Sequence, residues 1–159
     1  MALVEGVETE MPISFAQEKL EAIWDEVLPL ARLNQLETGA LSPDDFKPDR
    51  ERFLAIEKAG IMPVFTARRE DNLLVGYAVF LVSPHLHYSA LVWAMQDVLF
   101  VHPEHRGVGA VRFILRQDDA LKASGVQVIA RYVSARHDYE KTLLGIGYSP
   151  IERAYIKRV

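Results

Sequence analysis

The chain has 159 residues, half of them hydrophobic and a quarter charged, with a formal net charge of −4. That is enough for one domain with its own core, and the wrong sign for broad binding to nucleic-acid phosphates. The absence of cysteine removes disulfides, thiolate metal sites and a cysteine nucleophile.

Met1 to Glu10 lacks a basic stretch followed by an apolar core, so no signal peptide is expected. The longest apolar run, Leu73 to Val82, is strand-sized, and the protein reads as soluble and cytoplasmic. Ala16 to Leu36 carries apolar residues at helical spacing (Leu20, Ile23, Trp24, Val27, Leu28), with Pro29 expected to kink or split the helix. A polar, turn-rich segment, Thr38 to Asp45, separates it from a second helix over about Asp49 to Ala59, which Gly60 ends. The character then changes. Val64 to Ala67 and Leu73 to Val82 are β-rich runs on either side of Arg69-Glu70-Asp71-Asn72, the pattern of an antiparallel hairpin. The Pro- and Ser-containing stretch Ser83 to Ser89 reads as a loop, and Leu91 to Val101 as a buried central strand stopped by Pro103.

A helix with Val111, Ile114, Leu115 and Leu121 on one side follows, closed by Gly125. On it, Arg112 and Arg116 read as a solvated face, with Arg116 and Asp119, and Asp118 and Lys122, at pairing distance. Val126 to Val133 is the next strand and makes a parallel-type crossover with the one before. Tyr139 to Leu144 forms a short helix broken by Gly145 and Gly147, and Ile151 to Val159 reads as a closing strand. The expected class is α/β (α+β): one domain over residues 1–159, with a helical N-terminal part at 1–61 and a mixed central sheet at 62–159.

The chemistry centres on the turn after the central strand. Glycines at 107 and 109 let backbone amides point outward together, and the helix that follows adds its positive end, a combination suited to a pyrophosphate. No Gly-Lys-Ser/Thr follows, and the third glycine of the dinucleotide fingerprint is missing, so neither a P-loop nor a Rossmann site is indicated. On the glycines alone, a tight turn capped by Arg106 explains the pattern equally well.

The longer pattern Val101-His102-Pro103-Glu104-His105-Arg106-Gly107-Val108-Gly109-Ala110, set between a β-run and an amphipathic helix, resembles the coenzyme A-binding motif of the GNAT (Gcn5-related N-acetyltransferase) superfamily. The resemblance covers roughly residues 62–159, and includes the Gly145-Ile146-Gly147-Tyr148 segment. His87-Tyr88, Asp97, His137-Asp138 and Leu144 to Tyr148 also look similar to uncharacterised GNAT-like proteins of phages and prophages. The resemblance implies a GNAT fold and acetyl-CoA as cosubstrate. It places Arg106, Gly107, Val108, Gly109 and Ala110 at the pyrophosphate, Leu99, Phe100 and Val101 along the pantetheine, and Ser134 on the same cofactor side. It further implies direct attack of an acceptor amine on the thioester, with no covalent enzyme intermediate.

Two positions depart from the family pattern. Val111 stands where a small residue is usual, and Leu143 where many relatives carry a tyrosine that protonates the leaving thiolate; Tyr139, one helical turn earlier, is the available substitute. For the base, the choice lies between Asp97, on the strand entering the turn, and His87, in the loop before it. Asp97 can alternatively hold a neighbouring loop. His85 and His87 have the spacing of a metal pair, but a surface loop accounts for them without a third ligand. Trp93 reads as packing. Asp44 and Asp45 with the first helix are expected to line the acceptor side. Two function classes therefore stand: an N-acetyltransferase for a primary amine of a small molecule or protein, and a non-catalytic acyl-CoA-binding or interaction module on the same fold. Neither nucleic acid nor membrane is an expected partner, and the oligomeric state stays open between monomer and homodimer.

Overall fold

The computed structural model describes residues 12–159, so the reading of Met1 to Glu10 lies outside it. Five strands form one sheet whose spatial order is the chain order: β1 (Ile13–Gln17), β2 (Val64–Arg69), β3 (Leu74–Pro84), β4 (Val92–Val101) and β5 (Val128–Ala130). The first four are mutually antiparallel, and β5 joins β4 in parallel. The helices are α1 (Leu20–Thr38), α2 (Arg50–Lys58), α3 (Val108–Ala123) and α4 (Glu140–Gly145).

Side-chain alternation along the sheet sends one set of residues to each face. On one face Tyr77, Val79 and Phe100 pack against Leu20, Ile23, Trp24, Val27 and Leu30 of α1, with Phe53 and Ile56 of α2 at the margin. The five α1 residues follow the helical repeat and are all buried, each stabilising by about 1.5–3 kcal/mol. On the other face Ala78, Phe80, Ala94 and Val101 meet Phe113 and Leu121 of α3.

Several boundaries follow their local chemistry. The Asp49 side chain accepts from Arg52 N–H and caps α2, and beyond its end Gly60 takes a φ of 77°. Between β2 and β3, Asn72 adopts a φ of 68°, a left-handed conformation asparagine tolerates. Pro29 does not split α1. It sits on the exposed side, where water can satisfy the carbonyl its missing N–H leaves free.

Four expectations are corrected. A strand, β1, precedes α1: its five residues are too few to show a period beside a long helical pattern, and its place is set by pairing with β2 and by Phe15 stacking on Phe113 at 5.5 Å. The strand read over Val126 to Val133 shrinks to three residues. Ile151 to Val159 has alternating character but forms no strand and is exposed, its one side-chain hydrogen bond among the described residues running from Arg158 to Asp45 at 2.8 Å. Alternation alone does not make a strand without a partner to pair with. On α3, Leu115 faces solvent, and Asp118 pairs with Arg131 rather than with Lys122. No ion pair joins Arg116 to Asp119 among the described residues.

Candidate active site

The register of β3 and β4 shifts at one point: Val79 faces Val98, and Phe80 faces Gln96, which leaves Asp97 as an extra residue in β4. Such a bulge leaves the extra residue unpaired. Asp97 lies on the α2 face of the sheet, opposite Gln96 in alternation, where it lines a groove of about 350 Å³ together with Leu81, Met62, and Phe53 and Ile56 of α2. Its carboxyl keeps solvent contact along the groove, while the surrounding protein pushes its pKa above the ordinary carboxylate value. Tyr77 lies near enough for the Asp97 charge to add to burial in raising its own pKa.

Beyond Met95 and Ala130, β4 and β5 part. From Gln96 to Val101, β4 therefore runs without a strand on its β5 side among the described residues. Leu99 faces the α3 side, Phe100 is buried on the α1 side, and the Val101 carbonyl accepts from Arg106 Nε at 2.8 Å. The base of the fork is closed by side chains. Gln96 Nε2 donates to the Tyr132 carbonyl at 3.1 Å and to the Tyr139 hydroxyl at 3.2 Å, and that hydroxyl donates to the same carbonyl at 2.9 Å. Burial raises the Tyr139 pKa, so its phenol holds its proton at neutral pH. Behind Gln96 stands Arg131, whose side chain is 0% exposed. It donates to Gln96 Oε1 at 3.1 Å, to Gln117 Oε1 at 3.0 Å and to Tyr148 Oη at 2.9 Å, and pairs with Asp118. Burial carries the Tyr148 hydroxyl up to about 12.

At the far end of β4, Gly107 caps α3 with φ 96° and ψ −136°, a conformation that strains any residue with a Cβ. The helix it opens has 16 residues, and the first-turn amides of Val108, Gly109 and Ala110 lack intrahelical acceptors. Gly107 and Val108 are exposed, so the turn is open to an anion. Arg106 faces the other way. Its guanidinium makes two 2.6 Å bonds to Glu37, in the last turn of α1. Glu37 also lies 3.0 Å from Nδ1 of His137. Ser134 Oγ donates to the Thr38 carbonyl at 3.3 Å and Arg136 donates to the Gly39 carbonyl at 2.6 Å. The end of α1 thus spans the turn before α3 and the loop after β5. Arg106 bonding holds the Glu37 carboxyl below its ordinary pKa.

Asp97, Leu99 to Val101, Tyr139 and the turn 106–110 therefore gather along one strand and its fork, with Ser134 at the end of α1. His87 does not join them. It is exposed in the β3–β4 loop, where its N–H donates to Nδ1 of His85 at 3.1 Å. His85 lies 4.3 Å from the Trp93 ring, and no third ligand stands by the two histidines among the described residues. Asp44 and Asp45 do not line the groove; Lys47, Asp49 and Arg52 do. Gln96, Arg131 and Glu37 were not legible as site residues. Only the polar character of Gln96 and Arg131 inside strand-like apolar runs marked them.

Neither a family model nor a curated protein matches the sequence. Solved structures do match in fold. A ribosomal-protein-alanine N-acetyltransferase from Brucella melitensis superposes with a TM-score of 0.70 at 19% identity, over 93% of this chain and 99% of that one. An acetyltransferase of Trypanosoma brucei gives 0.69 at 16% identity, over 93% and 100%. An aminoglycoside acetyltransferase from an uncultured soil metagenomic sample, in complex with sisomicin, gives 0.67 at 16%, over 97% and 100%. The chain has the mixed sheet and flanking helices of the GNAT acetyltransferase fold.

Proposed function

We propose that the protein is an N-acetyltransferase that moves the acetyl group of acetyl-CoA to a primary amine by direct attack. The observation that carries this reading is the alignment, along β4, of an anion-ready turn, an unpaired strand edge and a bulged carboxylate. The residues fit the cosubstrate: Val108 to Ala110 offer free amides to a pyrophosphate, and the parted edge of β4 offers backbone groups to the pantetheine amides. Asp97 takes a proton from the incoming ammonium, and the amine nitrogen then forms its bond to the thioester carbon as the carbon–sulfur bond breaks. The departing thiolate takes a proton from the Tyr139 hydroxyl, whose raised pKa keeps it protonated until then; the second proton, shed by the acylated nitrogen, restores the phenol, and Asp97 releases its own proton to solvent. Leu143, the position at which the resemblance implies a tyrosine, is buried in the core and leaves that role to Tyr139.

Acetyl-CoA at a hundredfold its Kd should add about 2.7 kcal/mol and raise Tm by roughly 5–10 °C. Gly109→Asp should abolish that shift while the protein stays folded, because a carboxylate then faces the pyrophosphate. A folded Gly109→Asp protein that binds acetyl-CoA as tightly as the wild type would remove the turn from the site. The buried Leu143 also favours a second reading, a non-catalytic acyl-CoA-binding module. Binding without transfer to any amine is its signature.

A further inference from the structure

The groove beside Asp97 is polarised across its width. Its sheet wall carries one charge, the carboxylate of Asp97 on the β4 bulge. Its helix wall, the approach to α2, carries Lys47 and Arg52, both exposed. Neither cation is in an ion pair among the described residues. The third charge on that wall is Asp49, one of whose oxygens takes the Arg52 N–H as the cap of α2 without losing its charge, so cations outnumber anions there two to one. Between the walls lie Phe53, Ile56, Met62 and Leu81, all apolar and at least half-buried. The space, about 350 Å³, is at the small end of ligand sites.

We infer that the acceptor is a small zwitterion: an amine joined through a short apolar body to a carboxylate or phosphate. Its ammonium meets Asp97, its carbon chain lies on Phe53, Ile56 and Leu81, and its anionic end meets Lys47 and Arg52. A dication places a like charge against the helix wall, and a simple alkylamine leaves both cations unanswered. The inference rests on the acetyl-transfer reading for its reaction, though not for its binding.

The test is a set of six-carbon amines matched in length: hexylamine, 6-aminohexanoate, 6-aminohexyl phosphate and 1,6-diaminohexane. For the wild type, kcat/KM should be about tenfold higher for both anionic compounds than for hexylamine, and lowest for the diamine. Preference between carboxylate and phosphate separates the two sources of the anion. In the double variant Lys47→Glu, Arg52→Glu the order should reverse, with the diamine first. Hexylamine equal to or better than both anionic amines, or an unchanged order in the double variant, overturns the inference while leaving acetyl transfer standing. If no amine is acetylated, the transfer reading falls separately. Calorimetry on the CoA-loaded protein then decides the groove: tighter binding of 6-aminohexanoate than hexylamine, lost in the double variant, upholds it, and equal binding refutes it.

Discussion

Asp97 shows how a single inserted residue makes a site. Alternation with Gln96, which faces the α3 side, puts Asp97 on the groove face, and because the bulge leaves it unpaired Val98 stands on that same face beside it. Burial raises its pKa, so ionisation costs the folded state free energy: the cost is absent below the ordinary aspartate pKa of about 3.9 and grows as pH rises through the elevated value. Asp97→Asn removes a charge whose cost is greatest at neutral pH. The variant should therefore lose more than tenfold in turnover, bind acetyl-CoA nearly as before, and melt above the wild type at pH 7, with the Tm gain vanishing near pH 3. His87→Gln should leave the rate within twofold, since His87 stands in solvent away from the groove. A rate limb rising near pH 6 to 7 and abolished by His87→Gln would transfer the role of base to the imidazole. Both residues were visible in the sequence as rivals, because residue type names a proton acceptor and says nothing of where the fold will aim it.

At the level of elements, the fork between β4 and β5 is held open by parts distant in sequence. Glu37 of α1 grips Arg106 and touches His137, and Arg131 holds Gln96. Glu37 has a depressed pKa, chiefly from its bonds to Arg106, so its stabilisation is present above the ordinary glutamate value of about 4.3 and is lost as pH falls through the lowered one. Glu37→Gln should lower stability at pH 7 by about 1 kcal/mol, and the gap to the wild type should close below pH 4 in thermal melts. A constant gap down to pH 3 would mean the carboxylate charge contributes nothing there. The hairpin of β2 and β3, the glycine that ends α2 and the glycine turn were legible because each is written within a few consecutive residues. The clamp was not, since Glu37 and Arg106 are 69 positions apart and a charge on a helix end reads as solvated. The strand expected at Ile151 to Val159 failed for a related reason: a strand needs a neighbour, and no local pattern supplies one.

Across the whole molecule, one sheet separates two cores, and the junction of β1 with α1 is pinned to β2 by Arg68, which bonds Glu18 and Glu26 together. Chain order and strand order coincide, so the sheet can assemble outward from its middle. The loops joining β2 to β3 and β3 to β4 are short and cost little closure entropy, whereas β1 must find β2 across two helices and β5 must wait for α3. Pairing of the central hairpins should come first in folding and the two borders last. In native-state hydrogen exchange, the amides of β3 should then be the slowest to exchange, and those of the three-residue β5 should open well before global unfolding. Equal protection across all five strands would contradict that order. Because the proposed seat of the pantetheine begins where β5 leaves β4, the part of the sheet that closes last would also border the proposed entry of the cosubstrate.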